Sequence, residues 1–237
     1  CQRRAAAEGV TMRWHHVLLR LYPRWLVGAL GIGATTAVVA VTDHVLVRPL
    51  PFPSASRLVR LYQDQSFRGY SRMELSPPNF GDWRRESRSF SGMAAYSTFS
   101  FNLVGKGDPL RLDGVMATSD MFAVLGVSPL LGRSLTSIDD QPSSPLTMVM
   151  SYRLWTTAFG GRPDVLGQSV TLNDDSYVVV GVMPPQFSFP SRETPFWVPL
   201  RMTGDLMADR ANWFLNVIAR LADGTTIEQA RAELGGI

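Results

Sequence analysis

Residues 25–53, WLVGALGIGATTAVVAVTDHVLVRPLPFP, join a long apolar run to a cluster of three prolines. No charged residue lies between Trp25 and Thr42. As a helix rising 1.5 Å per residue, those positions span about 27 Å, and the helix reaches about 34 Å if it continues to Val47. Because the hydrocarbon core of a bilayer is about 30 Å thick, the pattern predicts a transmembrane helix over residues 25–47.

The ends of the predicted span carry residues that suit a membrane interface. Arg24 and Trp25 stand at one end, and Arg48 stands at the other, where its long side chain can reach the headgroups. Arginines are more numerous before the span than close after it, which favours a cytoplasmic N-terminus; they are Arg3, Arg4, Arg13, Arg20 and Arg24. A cleaved signal peptide is the alternative. It fits less well because the run is longer than a usual signal core and no clear cleavage motif precedes the prolines.

Two patterns suggest how the N-terminal part is organised. Residues 1–24 form a cytoplasmic segment in this interpretation, and within them residues 11–24 space apolar side chains as an amphipathic surface helix does. Inside the span, Ala29, Gly33 and Ala37 recur every fourth residue, which lets a second helix approach closely. Ordinary glycine and alanine usage in membrane helices is the alternative explanation of this stripe.

The prolines at 49, 51 and 53 end the helix and stiffen the chain beyond it. Proline cannot continue an α-helix, and it pushes the preceding residue into an extended geometry. A Gly/Ser linker would instead leave the next domain loosely attached. The sequence therefore predicts a rigid connection between the span and a domain over residues 48–237.

The composition indicates a folded domain and excludes several functions. Of the 237 residues, 45% are hydrophobic and 18% are charged, which is enough apolar material for a core. The net charge is +3, and the basic residues are scattered arginines with Lys106 as the single lysine, so we expect no nucleic-acid surface. Cys1 is the only cysteine, so no intrachain disulfide can form.

Strand signals recur along the second part of the chain. Runs rich in β-branched and aromatic residues predict strands over 57–62, 94–104, 110–116, 146–150, 169–172, 177–182 and 214–221. Turn residues at 105–109 and 173–175 join two pairs of these strands into hairpins. Prolines indicate a long loop around PFWVPL, at positions 184, 185, 190, 195 and 199.

Helix signals alternate with the strands, so the predicted class is a mixed α+β domain. A first helix begins at Pro77 after a Ser76 cap, with Phe80, Trp83 and Phe90 for its buried face. Short helices follow a Ser119-Asp120 cap and cover residues 152–159. In the last helix, we expect a capping box of Thr225 and Glu228 and a buried face of Ile227, Ala230 and Leu234.

No arrangement of residues indicates catalysis. The carboxylate pairs Asp139-Asp140 and Asp174-Asp175 stand beside turn signals, so we expect solvated turns and not acid/base groups. The chain has no GxSxG motif and no Walker-type loop with lysine. We therefore expect neither an enzyme nor a cofactor site in this chain.

Histidine is scarce and gives no metal-binding pattern. His15 and His16 lie in the basic N-terminal segment, and His44 follows Asp43 at the membrane edge. With no HExxH spacing and no cysteine partner, we expect no zinc site. Asp43 and His44 could titrate as a pair, although an interfacial anchor is the simpler explanation.

Longer stretches resemble one family in their order and spacing. The span and its exit, LGIGATTAVVAVTDHVLVRPLPFPSASRLVRLY, look like the first membrane helix of MacB-like permeases, especially the duplicated orphan permeases. Further matches come in order: SPPNFGDWRRESRSFSGMAAY, GVMATSDMFAVLGVSPLLGRSLTSIDD, SYRLWTTAFGG, VTLNDDSYVVVGVMPPQFSFP, FWVPL and VIARLADGTTIEQARAEL. Residues 25–237 thus resemble the MacB-like periplasmic core domain.

The resemblance implies a permease in the bacterial inner membrane, with residues 48–237 in the periplasm and the end of that domain missing. It implies three later spans of the FtsX type and ATP bound by a separate ATP-binding cassette subunit. Membrane lipid, a second copy of the chain and a periplasmic adaptor are the implied partners. The implied work is export or mechanotransmission, in which ATP-driven movement passes along the span to the periplasmic domain. The alternative is a single-pass, membrane-tethered binding or signalling module without transport.

Overall fold

The computed structural model describes residues 52–65, 69–104 and 109–237. The predicted cytoplasmic segment 1–24, the predicted span 25–47 and residues 48–51 lie outside the described residues. Among the residues that are described, no helix combines the length and hydrophobicity needed to cross a membrane.

Strands and helices alternate within these ranges, which confirms the predicted mixture of α and β structure. The strands are β1 (Leu58–Leu61), β2 (Gln63–Gln65), β3 (Tyr70–Met73), β4 (Phe90–Val104), β5 (Leu110–Ala117), β6 (Leu131–Gly132), β7 (Thr147–Met150), β8 (Ser169–Leu172), β9 (Asp175–Val182), β10 (Phe196–Pro199) and β11 (Asn216–Leu221). The helices are α1 (Pro77–Glu86), α2 (Met121–Leu125), α3 (Tyr152–Ala158), α4 (Gly204–Ala208) and α5 (Ile227–Leu234).

One large sheet carries most of the strands. Its order is β1-β11-β4-β5-β10-β7-β9-β6, and β8 pairs with both β4 and β9. Two pairings are parallel, β5 with β10 and β7 with β9, and the others in this sheet are antiparallel. β2 and β3 form a separate two-stranded ribbon. The first strand of the domain therefore lies beside β11, far along the chain.

The long strand β4 joins the two parts of the sheet. Its first half, from Phe90 to Tyr96, pairs with β11, and its second half pairs with β5 from Tyr96 opposite Ala117 onward. The predicted hairpin of residues 94–104 and 110–116 is confirmed, although β4 begins four residues earlier than predicted. Those extra residues pair only with β11, which a local sequence pattern cannot reveal.

The predicted loop is confirmed over residues 183–195 but is wrong at residues 196–199, which form the central strand β10. This strand lies between β5 and β7, and all four of its residues are buried. Its two faces contact different apolar clusters, so the run lacks the alternation that marks a half-exposed strand. Pro199 stands at the strand end and Pro195 just before it, where proline is compatible with a sheet.

The helix signals are confirmed at α1 and shifted by one residue at α5. Ser76 Oγ accepts a hydrogen bond from Asn79 N at 3.5 Å, with Pro77 as the first helical residue. In α5 the capping box is formed by Thr226 and Gln229, not by Thr225 and Glu228. Ile227, which we expected on the buried face, is 57% exposed, and only Ala230 of the predicted face is fully buried.

Two smaller predictions are also corrected. Phe90, which we expected on the first helix, belongs to β4, because α1 ends at Glu86. Asp120 precedes α2 but its side chain makes no capping bond, and Gly126 ends that helix with φ 73° as predicted. The remaining predicted strands and the helix at 152–159 agree with the structure to within two residues.

Three apolar clusters fill the two faces of the sheet. Phe122 of α2 packs in the first, together with Trp197 and Ile218. The second surrounds Phe196 and Trp155 at the far end of the sheet. Phe80 of α1 packs in the third, against residues of β4 and β11. Helices α1 and α2 thus cover opposite faces at the β1 end of the sheet.

Candidate functional site

The first described residue is held in the core. Phe52 is 9% exposed and packs edge-on against Phe187 and Phe189, with ring centroids 6.1 and 6.2 Å apart. Phe187 packs in turn against Trp197 of β10 at 5.1 Å. Burying a phenylalanine side chain stabilises a fold by about 1.5–3 kcal/mol. The chain is therefore fixed at the point where the predicted exit segment meets the domain.

Arg220 of β11 forms hydrogen bonds both to the turn that follows Phe52 and to α2. Its Nη1 donates to the carbonyl oxygens of Pro53 and Ser54 at 3.0 and 3.2 Å, and its Nε donates to Val124 O of α2 at 2.9 Å. Its Nη2 is buried and has no hydrogen-bond partner among the described residues. Burial lowers the pKa of this guanidinium, and the charge of Arg57 lowers it further, yet an arginine stays charged.

Arg57 forms a second set of hydrogen bonds, to the last residue of β11. Its Nε and Nη2 donate to Leu221 O at 2.9 and 2.5 Å, and its Nη1 pairs with the Asp223 carboxylate. Asp223 is almost fully exposed, so this ion pair contributes little and the bonds to the Leu221 carbonyl dominate. We call Phe52, Arg57 and Arg220 the N-terminal clamp.

One feature of the β11 sequence indicates this clamp. In β11, VIARL, Arg220 interrupts an apolar run and lies two residues after Ile218, so both side chains point to the same face of the sheet. Ile218 packs in the cluster that also contains Phe52. An arginine on an inward face needs polar partners, and the carbonyl groups of residues 53, 54 and 124 supply them.

A second feature is a groove of about 690 Å³ bordered by α1 and α5, which we call the α1–α5 groove. Val59 and Leu61 of β1 lie in its floor, and both are partly buried. Trp83 of α1 lines one side, and Ile227 and Leu234 of α5 line the other. Partly exposed apolar side chains that line a groove can bury more surface if another segment packs against them.

Four arginines stand around this groove: Arg60, Arg72, Arg210 and Arg231. Arg210 pairs with Asp82 at 2.8 Å, and hydrogen bonds from Arg210 and then Arg85 hold the pKa of Asp82 below its ordinary value. Within the described ranges, the other three groove arginines have no carboxylate partner. The groove thus combines an apolar floor with positive charge at its rim.

The structure corrects the prediction for one acidic pair. Asp139 is 3% exposed, and its carboxylate accepts hydrogen bonds of 2.7 to 3.0 Å from Arg133, Thr136 and Thr147. Burial opposes the charged form, but these donors outweigh it and hold the pKa of Asp139 well below its usual value. Asp139 is therefore a buried carboxylate that pairs with Arg133. It is not the solvent-exposed turn residue that we expected.

The other acidic residues behave differently from Asp139. Burial raises the pKa of Asp140, although its Oδ2 accepts a hydrogen bond from Ser119 N at 3.1 Å. Asp174 and Asp175 are both exposed, as predicted, Asp174 in the turn between β8 and β9 and Asp175 at the first position of β9. Across the described ranges, no group of three or more His, Cys, Asp or Glu residues could hold a metal ion.

The predicted membrane residues stay predictions. They lie outside the described residues: Arg24, Trp25, Ala29, Gly33, Ala37 and Arg48, together with Asp43 and His44. The structure therefore contributes a site that the sequence did not predict, the N-terminal clamp, directly after the predicted membrane connection.

Comparisons with known proteins give this geometry a context. The family model described as the MacB-like periplasmic core domain matches residues 26–237. The periplasmic region of MacB from Actinobacillus actinomycetemcomitans is similar in structure, with 16% identity, a TM-score of 0.56, and 75% of this chain and 79% of that chain covered. Comparison with curated proteins finds none that matches.

Two further solved structures share the fold. A domain assigned to a permease protein from Porphyromonas gingivalis has 16% identity and a TM-score of 0.57, covering 79% of this chain and 83% of that chain. The extracellular domain of the ABC-type transporter YknZ from Gram-positive bacteria has 15% identity and a TM-score of 0.52, covering 74% and 86%. At these identities the three likenesses establish the fold alone.

Proposed function

The chain belongs to the MacB-like periplasmic core domain family, and from that premise we propose that it passes conformational change across the membrane within an ABC-type permease. Its domain and the predicted span act as one mechanical unit. A separate cassette subunit binds and hydrolyses ATP, so the work requires no catalysis and no cofactor in this chain.

The N-terminal clamp supports this proposal most directly. Movement that arrives through the prolines at 49 and 51 reaches the domain only if the next residues cannot yield locally. Phe52 lies in the aromatic core, and the guanidinium of Arg220 holds the carbonyls of residues 53 and 54 and α2 together. A displacement of residue 52 must therefore move β11, α2 and the core around Phe187 with it.

The clamp also passes movement into the rest of the sheet. β11 is paired along its length with β4, and β4 continues into the hairpin with β5. Beyond β5 lies the buried strand β10, whose Trp197 contacts Phe187. Close-packed strands transmit strain with little local deformation.

The membrane part of the proposal is drawn from the sequence and the family. The span over residues 25–47 is held at the interfaces by Arg24, Trp25 and Arg48, with the N-terminus in the cytoplasm of a bacterial inner membrane. The stripe of Ala29, Gly33 and Ala37 packs against another helix of the permease. A second copy of the chain and a periplasmic adaptor complete the assembly.

The test replaces the rigid connection by a flexible one. In the full-length permease with its cassette subunit in nanodiscs, residues 49–51 are changed to Gly-Ser-Gly, and a spin label is attached at Ile138→Cys after every other cysteine has been replaced by serine. We expect a non-hydrolysable ATP analogue to shift the label-to-label distance between two copies in the parent protein. In the flexible variant, we expect no shift while ATP hydrolysis continues.

The control inserts the same three residues after Gly160, in an exposed turn beyond α3; it should keep the shift. An equal shift in the flexible variant, or none in the parent protein, overturns the proposal. No shift in the parent protein would favour a tethered binding or signalling module, whereas an equal shift in the flexible variant would mean that the movement reaches the domain by another route.

A further inference from the structure

A cavity of about 380 Å³ lies where the start of β4 meets the end of α1 and one side of α2. We call it the β4 cavity. Its lining residues come from four segments: Arg84 and Ser87 at the end of α1, residues 90–93 of β4, residues 120, 123 and 124 at α2, and Arg220 of β11. Small-molecule sites in proteins usually enclose about 300–1,000 Å³. The β4 cavity is therefore large enough for a small ligand.

The backbone of β4 creates this space. β4 pairs with β11 through Phe90 and Gly92 but not through Ser91, which is an extra residue and forms a β-bulge. Gly92 has no side chain, and a Cβ at its position would lie 3.1 Å from Cγ2 of Val124. Within the described part of the chain, no strand pairs with the other edge of β4 before Tyr96. The cavity thus results from a bulge, a glycine and an open strand edge, and bulges are common next to functional sites.

The charges that line the cavity do not balance. Arg84 pairs with Asp120, the one carboxylate in the lining. Arg220 donates only to neutral carbonyl groups, and no carboxylate within the described ranges pairs with it. A partly buried cation without a counter-ion raises the free energy of the folded state, and a bound anion offsets this cost. With two arginines and one carboxylate, the cavity carries an excess of positive charge.

The ion pair between Arg84 and Asp120 can be exchanged for a ligand at little cost. The two side chains are 48% and 40% exposed, and an ion pair at this exposure contributes little because water screens it. Arg84 reaches Asp120 with a single nitrogen, Nη2. A free carboxylate or phosphate can instead accept two parallel N–H bonds from a guanidinium, which is the stronger arrangement. The hydroxyl group of Ser87 lines the same cavity and can donate a further hydrogen bond.

We infer that the β4 cavity binds a small organic anion, whose carboxylate or phosphate group pairs with Arg84 and offsets the charge of Arg220. The remaining atoms of the ligand lie against β4 and Val124. Because Arg220 also belongs to the N-terminal clamp, the bound anion holds its guanidinium more firmly on the carbonyl groups of residues 53 and 54. Such a site can exist whether or not the domain transmits movement.

The test titrates the full-length permease, in nanodiscs of zwitterionic lipid, with succinate and with inorganic phosphate by isothermal titration calorimetry. Succinamide, which is similar in size to succinate but uncharged, is the neutral control. We expect at least one of the two anions to bind with a Kd below about 1 mM and succinamide not to bind. The anion that binds more tightly assigns the ligand class, carboxylate or phosphate. No binding of either anion, or equal binding of succinamide, overturns the inference.

Two neighbouring arginines of α1 give a matched pair of variants. Arg84→Gln removes a cation that lines the cavity, whereas Arg85→Gln removes an exposed cation outside it, which pairs with Asp82 and Glu86. We expect Arg84→Gln to weaken anion binding at least about fivefold and Arg85→Gln to change it by less than about twofold. Equal effects of the two variants would place the anion elsewhere on the surface and overturn the inference.

Asp120→Asn gives a readout that a purely structural role of Arg84 would not produce. The substitution frees Arg84 from its carboxylate, so we expect the anion to bind about threefold more tightly or better. The control is Asp113→Asn, at an exposed residue of β5 outside the cavity, which should leave the Kd unchanged. Unchanged or weaker binding to Asp120→Asn contradicts a ligand that replaces Asp120 as the partner of Arg84.

Hydrogen exchange tests the part assigned to Arg220. In the parent protein, a saturating concentration of the anion should slow the exchange of the amides of residues 54–57 at least about twofold. In Arg84→Gln at the same concentration, we expect a smaller change. Unchanged exchange in the anion-bound parent protein would show that the ligand does not act on Arg220.

Discussion

Arg220 donates through Nη1 to the carbonyl oxygen of Pro53 over 3.0 Å, across a separation of 167 residues. The bond joins β11 to the turn that comes directly after the predicted membrane connection. The same guanidinium reaches Val124 of α2, so three segments far apart in the chain meet at one side chain. These hydrogen bonds attach the start of the domain to its core.

Replacing this guanidinium should loosen the start of the domain. Arg220→Met keeps the aliphatic stem but removes the donors to three backbone carbonyls. Hydrogen bonds from a charged group contribute about 1.5–3 kcal/mol, and less where they are exposed. Because the bonds to Pro53 and Ser54 are exposed and the bond to Val124 is part-buried, we expect the free energy of unfolding to fall by about 1–3 kcal/mol. Urea unfolding followed by tryptophan fluorescence measures the change. Arg192→Met, at an exposed arginine, should stay within about 0.5 kcal/mol of the parent; equal effects would contradict the clamp.

The buried carboxylate should matter more than an exposed one of the same type. Asp139→Asn removes the charge partner of Arg133 and one acceptor for several donors, so we expect a loss of about 2–4 kcal/mol in the free energy of unfolding. The control is Asp174→Asn, in an exposed turn at φ 70° where asparagine is well tolerated. Calorimetric melting of both variants checks the prediction. A small effect at Asp139 would mean that its hydrogen bonds are not formed in solution.

The pH dependence of stability should reflect the same residue. The pKa of Asp139 is lower in the folded state than in the unfolded state, so its contribution is present above the ordinary aspartate pKa of about 4. That contribution is lost as the pH falls below this value. We expect the stability difference between the parent protein and Asp139→Asn to be largest near neutral pH and to shrink in acid. A difference that grows in acid would show that folding does not lower the pKa of Asp139.

The contribution of Asp140 to stability should change with pH in the opposite direction to that of Asp139, so Asp140 serves as the comparison. Its pKa is raised by burial, so its ionisation in the folded state costs stability at neutral pH. Asp140→Asn should therefore be neutral or stabilising at neutral pH. Any advantage should disappear as the pH falls towards about 4. Urea unfolding at a series of pH values measures both variants.

A further prediction tests the position of β10. A Cβ at Gly114 of β5 would overlap the ring of the buried Phe196, because the two strands are neighbours. We expect Gly114→Ala to destabilise the domain by about 1–3 kcal/mol through overpacking. Gly204→Ala is the control, since nothing lies within 4 Å of its Cβ position and its effect should be small or stabilising. A neutral Gly114→Ala would indicate that residues 196–199 do not pack against β5.

The elements that could be predicted depend on neighbours in sequence. The Ser76 cap, the hairpin turn at Asn173 and Asp174, and the end of α2 at Gly126 each involve residues within a few positions of one another. Their geometry is set by local hydrogen bonds and by φ > 0, so a sequence motif is enough. The one-residue error at the α5 cap reflects two adjacent threonines, either of which satisfies the motif.

The sequence by itself determined the mixed class of the domain, most of its strands and the family to which it belongs. Only the tertiary structure decided that residues 196–199 form a central strand, that Asp139 is buried, and that Arg220 binds the start of the domain. In each case the deciding partner lies elsewhere in the chain: β5 and β7 for the strand, Arg133 and Thr147 for Asp139, and Pro53 for Arg220. Such contacts exist only after the sheet has assembled, because burial and long-range hydrogen bonds are properties of the packed chain and not of any short segment.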